Sequence, residues 1–549
     1  MALTKAHNRM IDAAAVVASD WGVFADGVTD DTTAIQTMLT ANQGKTIIFD
    51  GISVVTSTIT VAGNKTKLIF RNGAGISYST ATLTAIEISG DDVEVDGLNI
   101  TGPAIFDGTN VTPTYAALLV TGDGCELTNL QMQTVPKVGI WFKDCNSGIL
   151  SGSRIYGNFP SSGFTGTETG HFAVIIDPAP SGRQGNFIVS QCDITTSVQG
   201  VFIGNYGSAS ISQAVSISGC NFAECWNHGV YGAGSFSAPL NGVSVSSNTF
   251  ARCQIPVVLT GSYCSIIGNT MQTSGSTGTY IDVTGISLRE ASHCVVANNT
   301  IQGDALPGSV IIDVNTLTGT VCKGNIISGN TVKISSVDLS ALVRVGGSST
   351  TDLTDNVIIG NVLYGGGRTG SGCIVFGQTA GTDCSGSIIS NNTVTITGDC
   401  NGIVLSSASD VSVQGNKIRL EHDAAGAVTL AGIGLFSSDR NVVDNNTITI
   451  TSAWGANISF RGIWETGTAS DNISRNNTFR ADLTKLTAAA HYVTVNGSEI
   501  IIQDTGAGNP NGAFFAAIGS TWSRTDGGAG TSFYVKETAG TSATGWVAK

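Results

Sequence analysis

The stretch Asn221-Phe222-Ala223-Glu224-Cys225-Trp226-Asn227-His228-Gly229-Val230-Tyr231 holds the densest mixture of acid, imidazole and aromatic groups in the chain. Glu224 and His228 are groups that exchange protons, and Trp226 and Tyr231 present flat faces of the kind that cover the apolar side of a sugar ring. Glycoside hydrolysis needs two carboxyl groups, one protonated to help the leaving oxygen and one ionised to activate water or attack carbon. Asp177 is the partner expected for Glu224. Glu168, in the insertion around Tyr156–Gly170 that also leads to His171, and Glu290 are substitutes for either acid. A second chemistry, β-elimination from a uronate polymer, needs a base and a cation for the carboxylate, and Lys143, Arg289, His228 and Tyr231 could serve it. The bland alternative for Glu224 is a surface ion pair with Arg252, which lies above it when Phe222 is aligned with Phe250. A single His at a bend is more often structural than catalytic.

What would position these residues is a repeated sentence. Gly285-Ile286-Ser287-Leu288 leads to Asn298-Asn299-Thr300-Ile301, Gly402-Ile403-Val404-Leu405 to Gly415-Asn416-Lys417-Ile418, and Gly432-Ile433-Gly434-Leu435 to Asn445-Asn446-Thr447-Ile448. The Asn before the hydrophobic residue recurs at Asn248, Asn269, Asn299, Asn330, Asn361, Asn392, Asn416, Asn446 and Asn477, mostly 30 or 31 residues apart. A period of that length means a solenoid. Each unit holds short runs alternating apolar and small polar residues, separated by Gly, Asn and Ser, with no room for a crossover helix. The expected fold is therefore all-β, a right-handed parallel β-helix over residues 45–480. Ile140, Val230, Ile286, Leu288, Ile403, Leu405, Ile433 and Leu435 should lie inside, and the corner Asn residues should form a hydrogen-bonded ladder.

The same register turns Trp141, Lys143, Asp177, Phe202, Tyr231 and Arg289 outward. Trp141, Phe202 and Tyr231 would make an aromatic column, suited to carbohydrate or to subunit packing. Asp177 and Glu224 should sit two coils apart, about 10 Å at the 4.8 Å rise of stacked strands. Trp141, Lys143, Phe202, Trp226, Tyr231, Arg252, Arg289 and Glu290 are the expected substrate contacts.

The composition fits this picture, with 70 Gly, 41% hydrophobic and only 12% charged residues in 549. A net charge of −14 argues against nucleic acid as a partner. The 12 Cys occur singly, with no Cys-x-x-Cys pair, so neither a metal nor a cofactor is expected. Cys264 and Cys294, five residues before their corner Asn, should be stacked thiols, which implies synthesis in a reducing cytoplasm. The residues from Met1 to Asp20 lack the pattern of a signal peptide, and no membrane insertion is expected.

Residues 1–44 read as a lead and a capping helix, with Thr29 as N-cap, Ile35, Met38 and Leu39 on the covered face, and Gly44 as the stop. The motif Asp26-Gly27-Val28-Thr29-Asp30-Asp31-Thr32, followed by Lys45-Thr46-Ile47-Ile48-Phe49-Asp50-Gly51, resembles the start of the pectate-lyase-like β-helix of bacteriophage tailspikes and capsule depolymerases. That resemblance implies a virion-tail protein made in the host cytoplasm. It implies a homotrimer, association with other phage tail proteins, and a bacterial surface polysaccharide, capsule or O-antigen, as the ligand to be cut. A receptor-binding fibre that holds the glycan without cutting it is the non-catalytic alternative. Residues 481–549, where the period stops, are similar to short C-terminal β modules of tail fibres and are expected to cap the last coil.

Overall fold

The computed structural model describes residues 15–549 apart from 104–113, 136, 158–170, 179–185, 205–213, 234–239, 274–284, 306, 316–320, 336–337, 348–351, 422–428, 451–458, 482–491, 494–498, 507, 512–517 and 539–543. It forms two compact units, residues 1–260 with 277–279, and residues 261–276 with 280–549. In both, every strand of the repeat pairs in parallel with its counterpart one coil on, which is the architecture of a parallel β-helix.

Each coil contributes to three walls. In the first unit the first wall includes Glu94–Asp96, Cys125–Thr128, Gly148–Ser151, Asn186–Ser190, Ala214–Ser218 and Val243–Ser246, paired in that order. The second wall includes Arg154–Gly157, the start of Asp193–Gly204, the start of Asn221–Ala233, and Thr249–Ala251. Leu118–Val120, Val138–Cys145, Phe172–Pro178 and the far halves of the two long strands make the third wall. The second unit repeats the plan. Its second wall includes Thr270–Thr273, Thr300–Gly303, Thr331–Ile334 and Val362–Gly365. Its third includes Ile286–Arg289, Val310–Asn315, Ala341–Val345, Gly372–Thr382 and Asn401–Ala408.

The corner between first and second walls explains the repeated Asn. Residues 268, 298, 329, 360, 391, 415, 445 and 476 all have φ between 54° and 67°, the left-handed conformation that turns the chain sharply. Gly adopts it without a steric penalty and Asn tolerates it, which accounts for the alternation of Gly-Asn and Asn-Asn in the sequence. The following Asn is buried, and its Oδ1 accepts from the backbone N–H and the amide of the Asn one coil below. The chain of bonds runs Asn269, Asn299, Asn330, Asn361, Asn392, Asn416, Asn446, Asn477, with N–H to Oδ1 distances of 2.9–3.0 Å. The Nδ2 of each from Asn299 onward also donates to a backbone carbonyl, so these buried amides satisfy the polar groups that the corner exposes. A shorter second ladder, Asn325 on Asn356 and Asn441 on Asn472, stands at the entry to the first wall and was not anticipated from the sequence.

All eight expected core residues, Ile140, Val230, Ile286, Leu288, Ile403, Leu405, Ile433 and Leu435, are fully buried. Phe222 stacks on Phe250 one coil away, with ring centroids 4.8 Å apart. All 12 cysteines are buried, and none is in a disulfide. Cys264 N–H donates to Cys294 Sγ at 3.4 Å, and Cys373 and Cys400 Sγ lie 3.8 Å apart. Burial pushes the Cys125 thiol up to about 11 and Cys384 to about 12. Glu94–Asp96 and Asn99–Thr101 are separate strands, broken at Gly97 with φ 75°.

The capping helix runs Thr32–Ala41 and buries Ile35, Met38 and Leu39. Its start differs from the expectation. Asp26–Asp30 is a strand paired with Ile52–Val54, and Thr29 is held inside it by Asp26, so the N-cap is Asp31. Asp31 accepts from the backbone of Phe24 at 2.8 Å and Ala25 at 2.9 Å, tying the lead to the helix. At the other end, Glu499–Gly506 pairs first with Ile473–Ala481 and then with Thr521–Arg524, which opens an antiparallel meander through Phe533–Lys536 and Trp546–Ala548. Among the described residues, no helix is long and apolar enough to cross a membrane.

Candidate functional site

In the first unit, Glu224 and Arg252 occupy the bend between second and third walls, both with φ 56°. Their side chains form an ion pair and are 38% and 65% exposed. This is the surface pair that the alignment of Phe222 with Phe250 foresaw. Four residues on, His228 is buried and its ring stacks on Tyr231 with centroids 4.5 Å apart and planes at 15°. His228 lies beside Gln199 of the preceding coil, and Gln254 is buried at the next bend. Trp226 is half-buried.

The outward aromatic column exists but is closed. Register places Leu119, Trp141, Ile175, Phe202 and Tyr231 one above another on the third wall. Trp141 is 4% and Phe202 7% exposed, and they pack with Ala116, Val138, Phe172 and Ile175 into a hydrophobic cluster. Phe202 meets Phe172 at 5.2 Å and Tyr231 at 5.6 Å, both edge to face. Leu119 and Tyr231 are half-buried at its edge, and the Lys143 ammonium lies 5.0 Å from the Trp141 ring.

Glu224 and Asp177 are not brought together. Asp177 follows Ile176, which pairs through Ile203 to Gly232, so it is level with the far end of the Asn221–Ala233 strand. Glu224 lies at the near end, eight residues before Gly232 and at the bend into the third wall. The expected separation of about 10 Å counted coils correctly but ignored distance along the strand, where each residue adds about 3.3 Å. Asp177 instead neighbours Lys143 and is buried. Glu168 and most of the insertion around Tyr156–Gly170 lie outside the described residues.

The second unit holds a polar site that sequence reading touched only at its edge. Ser287 faces Asp313, and Asp313 faces Arg344, at outward positions of its third wall. The Arg344 guanidinium donates to both Asp313 oxygens, Nε to Oδ1 at 2.8 Å and Nη2 to Oδ2 at 2.7 Å. The Asn315 amide donates to Oδ2 at 2.5 Å. The Asp313 side chain is 6% exposed and that of Arg344 26%. Arg289 is half-buried beside Asn315, and Glu290 is buried, its N–H donating to the Asn315 carbonyl at 2.9 Å. Cys322 feels both acids: burial chiefly raises its pKa, and the charges of Asp313, Glu290 and Asp352 raise it further. The overlooked signal was a charged residue inside an apolar strand, Ile312-Asp313-Val314, matched 31 residues later by Val343-Arg344-Val345.

No family model and no curated protein matches the chain. Among solved structures it is similar to PfbA, a surface adhesin of Streptococcus pneumoniae, with 14% identity over 74% of this chain and 91% of that one and a TM-score of 0.44. It is similar to a mutant tailspike protein of E. coli bacteriophage HK620 in complex with a pentasaccharide, with 12% identity, 77% and 78% coverage and a TM-score of 0.41. A PL6 alginate lyase complex with trisaccharide matches at 12% identity, 79% and 85% coverage and a TM-score of 0.36.

Proposed function

We propose that this chain is a tailspike depolymerase that binds a bacterial surface polysaccharide and cleaves it by glycoside hydrolysis on the third wall of its second unit. The observation that carries the reading is the Asp313 carboxylate, sunk in an outward face, forked by Arg344 and accompanied by the buried Glu290. Glu290 is three residues beyond Ser287, the residue facing Asp313. The two backbones are therefore about 10 Å apart along the strand and one rise of about 4.8 Å across it. Inverting glycosidases hold their carboxyl groups roughly 6.5–9.5 Å apart to admit a water, a separation the two side chains must reach from backbones about 11 Å apart. In this reading Asp313 takes a proton from water as its oxygen bonds the anomeric carbon. The glycosidic C–O bond breaks, and the leaving oxygen takes its proton from Glu290. Arg289, Arg344 and Asn315 hold the sugar hydroxyls and the carboxylate in place.

Purified capsule or O-antigen should gain reducing ends without absorbance in the enone band. Asp313→Asn and Glu290→Gln, checked for folding by circular dichroism, should each lower the rate on the order of 10²- to 10⁴-fold. Enone absorbance would instead indicate β-elimination. A receptor-binding fibre that does not cut is the second reading. It is favoured by the engagement of both Asp313 oxygens in the fork, as in a purely structural ion pair, and binding with no new ends of either kind would establish it. As a tailspike the chain would be a homotrimer attached to other tail proteins, and light scattering at micromolar concentration should return three times the 56.2 kDa chain mass. A single-chain mass would rule that out.

A further inference from the structure

The second wall of the second unit carries a groove of about 520 Å³, separate from the Asp313 wall and lined by Gln272, Gln302, Lys333, Ser335, Tyr364 and Thr397 around Gly303. Register stacks four of these outward on successive coils, Gln272 on Gln302, Gln302 on Lys333, and Lys333 on Tyr364. All four are exposed, and the stack repeats at about 4.8 Å. The Lys333 ammonium stands 5.7 Å from the Tyr364 ring centroid. Among the described residues no carboxylate pairs with it. Asp304, next to Gly303, is hydrogen-bonded by Ser335.

We propose that this groove binds a carboxylate-bearing oligosaccharide, with the acid of one sugar on Lys333, its ring against Tyr364 and the hydroxyls of the next sugars on Gln302 and Gln272. The chemistry follows from the lining. Two primary amides each donate and accept, as hydroxyl groups require, and an aromatic face covers axial C–H bonds. Lys333 is the one charged side chain of the lining in a chain of net charge −14, so the ligand must supply the anion. A lysine recognises it as a point charge and needs no bidentate geometry. The inference rests on the reading of the chain as a polysaccharide-binding β-helix and names the class of polymer.

Calorimetric titration of the full chain with a hexauronate and with a neutral hexaglucan separates the possibilities. The hexauronate should bind, more weakly as salt rises, and the neutral sugar should bind at least about tenfold more weakly. Lys333→Met should lose at least about tenfold in hexauronate affinity while melting at the wild-type temperature, and Tyr364→Ala should weaken binding as well. Equal affinity for the two sugars, or unchanged hexauronate affinity in Lys333→Met, overturns the inference and leaves hydrolysis at Asp313 untouched. Conversely, a chain that binds hexauronate at Lys333 yet cuts no glycan overturns the hydrolase reading alone.

Discussion

The third wall carries different chemistry at the same outward position in the two units, apolar throughout in the first and polar at Ser287, Asp313 and Arg344 in the second before it turns apolar again. In the first unit that position reads Leu119, Trp141, Ile175, Phe202, Tyr231, and in the second it reads Ser287, Asp313, Arg344, Val375, Val404. The backbone is alike in both: parallel strands spaced by one coil, with alternate residues facing out. An apolar column at that spacing closes on itself, because each ring finds its neighbour within van der Waals reach, and Trp141 and Phe202 end up buried. A polar column must instead satisfy each group by pairing. Asp313 and Arg344 do so and remain next to Glu290, Arg289 and Asn315. A solenoid's outer wall is thus a scaffold on which the residue at each rung decides between packing and chemistry.

The sharpest way to break the contrast is kinetic. With Asp313→Asn and Glu290→Gln expected to lose on the order of 10²- to 10⁴-fold in cleavage, Glu224→Gln in the first unit should cut at near the wild-type rate. If Glu224→Gln is the variant that fails, the reaction centre belongs to the first unit and the polar column of the second is structural.

Next in size is stability. Trp141→Ala or Phe202→Ala should cost about 3–5 kcal/mol, because each removes a large ring from a closed cluster and leaves a cavity. Arg344→Ala should cost about the same for a different reason, since it leaves the Asp313 carboxylate buried without its main partner. Urea melts at pH 7 measure both. Adding Asp313→Asn to Arg344→Ala should recover part of the loss, whereas the aromatic variants have no such rescue. A small cost for Trp141→Ala would mean that the column is an open platform after all.

The sequence made the coil legible because its period, its left-handed Gly or Asn and its buried Asn recur with one meaning at every turn. All eight inner residues could be chosen from one Gly-Ile-x-Leu register. The site was less legible for two physical reasons. Facing outward was read as being exposed, although Phe172 and Ile175, plain apolar residues in the sequence, bury Trp141 and Phe202. The separation of Glu224 and Asp177 was counted across coils only, while the bend at Glu224 sets the two acids at opposite ends of a wall. Arg289 and Glu290 were picked out, yet Asp313 on the neighbouring coil hid in a strand that reads as core on either side.

The smallest effect is expected at the Glu224–Arg252 pair, and it tests whether that bend is anything but structural. Both side chains are well exposed, so water and salt screen their attraction and the pair should contribute about 1 kcal/mol or less. Arg252→Gln should therefore shift the urea midpoint only slightly, and less still at 1 M salt, where the screening length falls to about 3 Å. Glu224→Gly loses the same ion pair but relieves a non-glycine residue held at φ 56°, a conformation that costs of the order of 1 kcal/mol. Glu224→Gly should accordingly be at least as stable as Glu224→Gln, an ordering opposite to that expected of a residue whose side chain organises its surroundings. If Glu224→Gly is instead the less stable of the two by more than about 1 kcal/mol, the side chain makes contacts beyond Arg252, and the first unit's bend regains its claim to a function.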